Sequence, residues 1–385
     1  MLYLDHAATA PVRPEVLEAM LPYLRDRFGN PSSHHTVGEA AAHALDDARR
    51  RVASVLAMRP GDVVFTSGGT EANNLALKGL SIGASQRSGT PVHLVTTAIE
   101  HESILAACEY LERVHRFAVT RLPVSSTGRI DADHLRDALH TRPGGAPTAL
   151  VSVGYANNEV GTVQDVAGLA AVCREARVPL HLDAVQAAGW LPLAGTGADA
   201  LSIAGHKIGA APGVGVLAVR SRLPLEPLLH GGGQERERRS GTENVAGAVG
   251  FAVALERAEA ERVDTAARTA ARRDAFIARV LSLVPSARLT GDPVERLPGT
   301  ASFTFAGVSG EAVLLELERR GIVSSSGSAC AAGSDEPSHV LLALGIAPEV
   351  AQTAVRFTFG HGGDLDLLPV ADAVADAVAA VRSGG

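Results

Sequence analysis

Residues 62–80, DVVFTSGGTEANNLALKGL, read as a strand, a turn and a helix in one unbroken stretch. Val63-Val64-Phe65 is an apolar run of strand length, Ser67-Gly68-Gly69-Thr70 is a glycine turn, and Glu71 to Leu80 is helical. That order leaves backbone N–H groups unpaired at a helix start, where an anion can bind, and Thr70 adds a hydroxyl. No Gly-Lys-Ser/Thr follows, so this is not a Walker loop. On this stretch alone an ordinary capped helix is an equal reading.

The pattern repeats downstream. Val92 to Thr97 is a strand that runs out just before His101, and residues 104–115 are helical. Phe117 to Leu122 is a strand, and Asp131 to Leu139 a helix opened by an acidic cap. Ala149 to Val153 is an apolar strand followed by Asn157 and Asn158, with a helix at 165–177. Asp183 ends the next buried strand, where an acid is costly unless something positive meets it. Residues 199–217, DALSIAGHKIGAAPGVGVL, then present Lys207 on a glycine-rich turn between two strands. A lone lysine is usually a solvated charge. Here strands and helices alternate from residue 62 to about 220, which predicts an α/β fold with a mostly parallel sheet. Thr70, His101, Asn158, Asp183 and Lys207 all fall at or just beyond strand ends, which would line one crevice.

The flanks are less regular. Residues 1–35 include two polar, turn-rich stretches, Asp5-His6-Ala7-Ala8-Thr9 and Gly29-Asn30-Pro31-Ser32-Ser33-His34-His35, and 36–57 reads as an amphipathic helix. Residues 230–245, HGGGQERERRSGTENV, form a charged glycine loop; it reads either as a solvated linker or as a source of cation and hydroxyl, from Arg239 and Thr242, for a phosphate. Residues 246–284 are one long helix or two, and 299–385 a smaller α/β unit. Cys330 lies among small residues in a loop at 323–335, a candidate nucleophile, whereas Cys108 and Cys173 sit in helical patterns and read as packing. Arg356 stands in an apolar strand, and a buried guanidinium there calls for a carboxylate from substrate or protein.

At 385 residues the chain predicts two domains, and its net charge of −7 with no basic stripe argues against a nucleic acid as direct partner. No run reaches membrane-spanning length, no leader pattern opens the chain, and three scattered cysteines make no disulfide framework or CxxC metal motif. A cytoplasmic protein is expected.

An acid at a strand end, a lysine two elements later and a phosphate-binding turn are the parts of a pyridoxal 5'-phosphate site. The lysine attaches the cofactor, and the acid keeps the ring nitrogen protonated so that the ring accepts electrons. The chain as a whole resembles the cysteine desulfurases of the class V aminotransferase group, fold-type I pyridoxal enzymes. The resemblance rests on Leu4-Asp5-His6-Ala7-Ala8-Thr9, GNPSS at 29–33, Ser67-Gly68-Gly69-Thr70-Glu71, Glu100-His101, Asn157-Asn158-Glu159, Asp183-Ala184-Val185-Gln186 and Gly205-His206-Lys207. Arg239-Ser240-Gly241-Thr242, Ser326-Gly327-Ser328-Ala329-Cys330 and Arg356-Phe357 complete it in order and spacing. The SGSAC loop resembles the iron–sulfur-assembly and thiolation type.

What the resemblance implies is specific. The fold is a large domain (15–255) with a seven-stranded, mostly parallel sheet, and a small domain (1–14 and 256–385) carrying the cysteine loop. Lys207 holds the cofactor and moves protons, Asp183 pairs with the ring nitrogen, Gln186 with the ring hydroxyl, and His101 stacks on the ring and serves acid–base steps. Gly69, Thr70 and His206 hold the phosphate, joined by Thr242 from the second subunit of a homodimer. Asn158 and Arg356 orient the L-cysteine substrate. Cys330 takes its sulfur as a persulfide, leaves L-alanine, and passes the sulfur to an acceptor protein such as an iron–sulfur scaffold or thiolation enzyme. A transient iron–sulfur ligand role for Cys330, and selenocysteine lysis or transamination on the same scaffold, are the alternatives. Two positions depart from the pattern: Ala204 stands where the family usually has a phosphate-binding serine, and His361 where arginine is common.

Overall fold

The computed structural model describes residues 1–327, 336–362 and 365–384. The chain opens on a short strand, β1 (Leu2–Tyr3), and a helix, α1 (Pro14–Arg25). This helix lies between the two turn-rich stretches at 5–9 and 29–35 and was not expected from the sequence. Pro14 at its first turn suits a helix start, and Val16 and Met20 are buried against the long helix described below. Its other apolar residues, Leu17, Leu21 and Leu24, are exposed, so the amphipathic period was obscured. The second helix, α2, runs Thr36–Val55.

The large sheet takes β2 (Val63–Thr66), β3 (His93–Thr97), β4 (Ala118–Leu122), β5 (Thr148–Gly154), β6 (Leu180–Asp183), β7 (Ala200–Ala204) and β8 (Gly215–Val219). Among the described residues it is seven-stranded, in the order β2-β8-β7-β6-β5-β3-β4. All neighbours pair in parallel except β8, which is antiparallel to both β7 and β2. The reason is the link: residues 205–214 are a tight turn, too short for the crossover that a parallel neighbour needs. The helices α3 (Gly69–Asn74), α4 (Leu80–Ser88), α5 (Glu102–His115), α6 (Ala132–Thr141) and α7 (Val166–Ala176) connect the strands. A π-turn at Leu75–Gly79 joins α3 to α4 without a break. Apolar cores fill both faces of the sheet. At its centre His181 spans three strands, between the hydroxyls of Ser152 and Ser202 at 2.9 Å each. Burial pushes it down to about 3, so it is a neutral bridge at ordinary pH.

Of the two readings of residues 246–284, one long helix or two, the structure has the single helix, α8 (Val245–Leu283). Its first half packs in the core of the large sheet, and Phe276, Ile277 and Val280 enter a second core. That core covers an antiparallel sheet of β9 (Ala287–Leu289), β10 (Thr300–Phe305) and β12 (Ala354–Thr358), with β11 (Ile322–Val323) pairing in parallel with β1. The remaining helices are α9 (Gly310–Arg319), α10 (His339–Ala343), α11 (Pro348–Ala351) and α12 (Leu368–Gly384). Leu4 belongs to the second core, so the start of the chain is stitched to its end. Residues 5–10 then cross to the C-terminal ends of the large-sheet strands, where Ala10 N–H donates to His206 O at 2.9 Å.

Candidate active site

A cavity of about 310 Å³ lies at those strand ends. Gly69, Thr70, His101, Asn158, Asp183, Gln186, His206, Lys207 and Arg356 all line it, so sequence-distant candidates converge. Thr242 does not line it and is exposed. Cys330 lies outside the described residues.

The glycine turn reaches the cavity only because its neighbours are small. A Cβ on Gly215 would sit 2.7 Å from Gly68 Cα, and one on Gly69 would sit 2.8 Å from Val185 Cγ2. Ala204 faces the same turn, 3.2 Å from that second position, and offers no hydroxyl. Glu71 accepts from Ser67 N–H at 2.7 Å and from Arg239 Nε at 2.9 Å. Arg239 is therefore paired with a protein carboxylate, which weighs against the second reading of its loop, as a source of cation for a phosphate.

Asp183 ends β6 with its carboxylate facing the cavity. Asn73 Nδ2 donates to Oδ2 at 2.7 Å and Val185 N–H to Oδ1 at 3.0 Å. Among the described residues no lysine or arginine pairs with it. Asn73 also donates to Ser103 Oγ at 2.9 Å, and Ser103 reaches His101 Nδ1 at 2.8 Å. His101 caps α5 by accepting from Ser103 N–H, which points its other nitrogen away from the helix. Sequence reasoning missed Asn73 and Ser103. Asn73 lay one turn beyond the glycine loop on the expected helix, a signal that was there to use.

Lys207 sits in a turn between β7 and β8. Its Nζ donates to the carbonyls of Ala7 and Ala8, the latter at 2.6 Å. Burial first, then the nearby Arg356, push this amine down to about 8, against the opposing pull of Asp5 and Asp183. Burial likewise pushes His206 down to about 4, helped by Lys207 beside it. Gln186 Nε2 donates to Ala7 O at 3.1 Å. Glu100 also lines the cavity; burial pushes it up to about 8 despite the Thr97 hydroxyl at 2.6 Å, so it is mostly neutral at pH 7.

Arg356 is 1% exposed in its side chain and bonds to Asp5 Oδ1 at 2.7 Å. Its Nη1 donates to Asn158 O at 2.8 Å and to Gly327 O at 3.1 Å. Gly327 precedes the segment that holds Cys330, so the stem of that loop touches the cavity wall. Asn157, by contrast, is structural: its Oδ1 accepts from the N–H of Glu159 and Val160 at 2.9 Å each. His361 stacks on Trp190, with ring centroids 3.9 Å apart, and is pushed down to about 3 by burial.

A pocket with a buried carboxylate, a depressed lysine and a glycine-rich helix start at the parallel strand ends defines a class. The chain belongs to the aminotransferase class-V family, whose model matches residues 2–364; members of that family are pyridoxal phosphate enzymes. It is 42% identical to an IscS-like cysteine desulfurase of Mycobacterium tuberculosis, covering 100% of this chain and 99% of that one. Among solved structures it is similar to a NifS-like protein (TM-score 0.87, 32% identity, 100% of both chains). It is also similar to SspA in complex with cysteine (TM-score 0.81, 35% identity, 94% of this chain and 99% of that one).

Proposed function

We propose that this protein is a pyridoxal phosphate-dependent cysteine desulfurase, which removes sulfur from L-cysteine, leaves L-alanine and passes the sulfur on through Cys330. The observation that carries the reading is the meeting of Asp183, Lys207 and Arg356 around one cavity. The residues fit the cofactor. Asp183 is a buried carboxylate that no cation pairs with among the described residues, suited to a protonated ring nitrogen. Lys207 has an amine neutral often enough to bond to an aldehyde. The Gly69 turn has no room for a side chain, which suits close backbone approach to a phosphate.

When bound, the cofactor supplies an electron sink for the substrate's α-carbon. The protein's own groups do the rest. Gly69, Thr70 and His206 hold the phosphate, with Thr242 of a second copy, and Gln186 binds the ring hydroxyl. His101 would stack on the ring and, like the Lys207 amine, would move protons at the substrate. Asn158 and Arg356 orient the substrate, Arg356 by its carboxylate. The Cys330 thiol takes the sulfur. The homodimer is supported by the exposed position of Thr242 and by the uncovered leucines of α1, where Leu17, Leu21 and Leu24 are each about half exposed or more. The relatives named as cysteine desulfurases favour this reading over selenocysteine lysis or transamination. An iron–sulfur scaffold or thiolation enzyme is the proposed acceptor class.

The test is to load the protein with pyridoxal phosphate and supply L-cysteine. Alanine and a protein persulfide should form without a keto-acid acceptor. Cys330→Ala should keep the cofactor's absorption and lose both products. Undiminished alanine formation in that variant would remove Cys330 from the reaction.

A further inference from the structure

Arg356 has five N–H donors and does not use them evenly. Nη1 is spent on the carbonyls of Asn158 and Gly327. Nη2 donates to Asp5 Oδ1 at 2.7 Å. Nε is buried and has no acceptor among the described residues. Nε and Nη2 together form an edge that grips a carboxylate with two parallel bonds. Asp5 therefore sits on half of the edge that a carboxylate substrate needs in full.

The rest of Asp5 is firmly placed. Its carbonyl accepts from the Tyr3 hydroxyl and from Ala8 N–H, both at 2.9 Å, and its backbone bridges to Thr358. Two and three residues on, the carbonyls of Ala7 and Ala8 accept from Lys207. The main chain is fixed, while the carboxylate, 18% exposed, retains room to turn aside.

We propose that Asp5 is a positioning residue, whose carboxylate competes with the substrate's carboxylate for the Nε–Nη2 edge of Arg356. It keeps a buried guanidinium paired and aimed between turnovers. The substrate displaces it because a carboxylate free to align satisfies both donors, whereas Asp5 satisfies one. A ligand without a carboxylate has no need to displace it, so Asp5 lowers the pocket's affinity for carboxylate-bearing amines and leaves that for other amines unchanged.

This rests on the proposed function, and the experiment separates the two. The cofactor-loaded protein is titrated with L-alanine and with L-alaninamide, which lacks the carboxylate, and equilibrium binding is followed by the cofactor's visible absorption. Asp5→Asn, which keeps a neutral acceptor, should bind L-alanine roughly 3- to 10-fold more tightly and leave L-alaninamide unchanged. Asp5→Ser provides the same comparison if the asparagine variant folds poorly. Weaker or unchanged L-alanine binding, or an equal shift for both probes, overturns the role of Asp5 alone. A wild-type protein that takes up pyridoxal phosphate yet responds to neither probe overturns the functional reading and this inference with it.

Discussion

Asn73 Nδ2 lies 2.7 Å from Asp183 Oδ2, and the same amide donates to Ser103 Oγ at 2.9 Å. The acid at the end of β6 is thus aimed by an amide from α3, across 110 residues of chain. Through Ser103 the contact continues to His101. The ring-facing carboxylate and the ring-stacking histidine of the proposed mechanism share one support. Replacing Asn73 by alanine should weaken pyridoxal phosphate binding roughly tenfold, the scale of one hydrogen bond to a charged group. Cofactor release followed by absorption checks this.

The Lys207 amine, held down to about 8, implies a pH dependence of cofactor attachment. An amine at that value is neutral in about one molecule in ten at pH 7, against roughly one in three thousand for an ordinary lysine. The rate at which cofactor-free protein takes up pyridoxal phosphate should rise with pH and level off above about 8. Stopped-flow absorption across pH 6–10 measures it. A rate still climbing steeply at pH 10 would return the amine to the ordinary range.

Ala204 leaves the phosphate turn one hydroxyl short of the family pattern. Ala204→Ser should add a donor beside Gly69 and tighten cofactor binding by about 0.5–1.5 kcal/mol, roughly two- to tenfold. Ala204 Cβ lies only 3.2 Å from where a Cβ on Gly69 would stand, so a serine there is beside the turn backbone and must place its hydroxyl toward the cavity. A dissociation constant unchanged within error would show that the turn already satisfies the phosphate.

Arg49 and Glu235 form a buried, two-bond ion pair at 2.6 and 2.8 Å. Glu235 also accepts from Phe65 N–H at 3.2 Å. This pair anchors a turn in which Glu235, Arg236 and Glu237 all have left-handed backbone, at φ of 50°, 59° and 64°. Such a conformation is unfavourable for residues with side chains unless contacts hold it. Glu235→Ala should cost about 3–5 kcal/mol, because it leaves a buried guanidinium unpaired. A chemical denaturation curve reads that loss directly.

Much of the large sheet was legible because its signals are local. A buried run such as Val63-Val64-Phe65 followed by a glycine turn declares strand and turn within a few residues. Lys207, Asp183 and His101 were legible as strand-end residues for the same reason. The helix α1 was not, since half of its apolar residues face outward and blur the period. The partner of Arg239 was not legible, because Glu71 lies 168 residues away. The support of Asp183 was missed because an asparagine inside a helix gives no sign of where its amide points.

The sequence by itself determined the order of strands and helices, the turns that glycine allows, and which acid, lysine and arginine stand at strand ends or inside apolar strands. These follow from short-range periodicity and backbone freedom. Only the tertiary structure decided which of those groups meet. It reversed β8, and it joined Asp5 to Arg356 across 351 residues. It also lowered the Lys207 amine by burying it near that same arginine. Pairing, burial and charge environment depend on distances through space, and no local pattern in the chain encodes those distances.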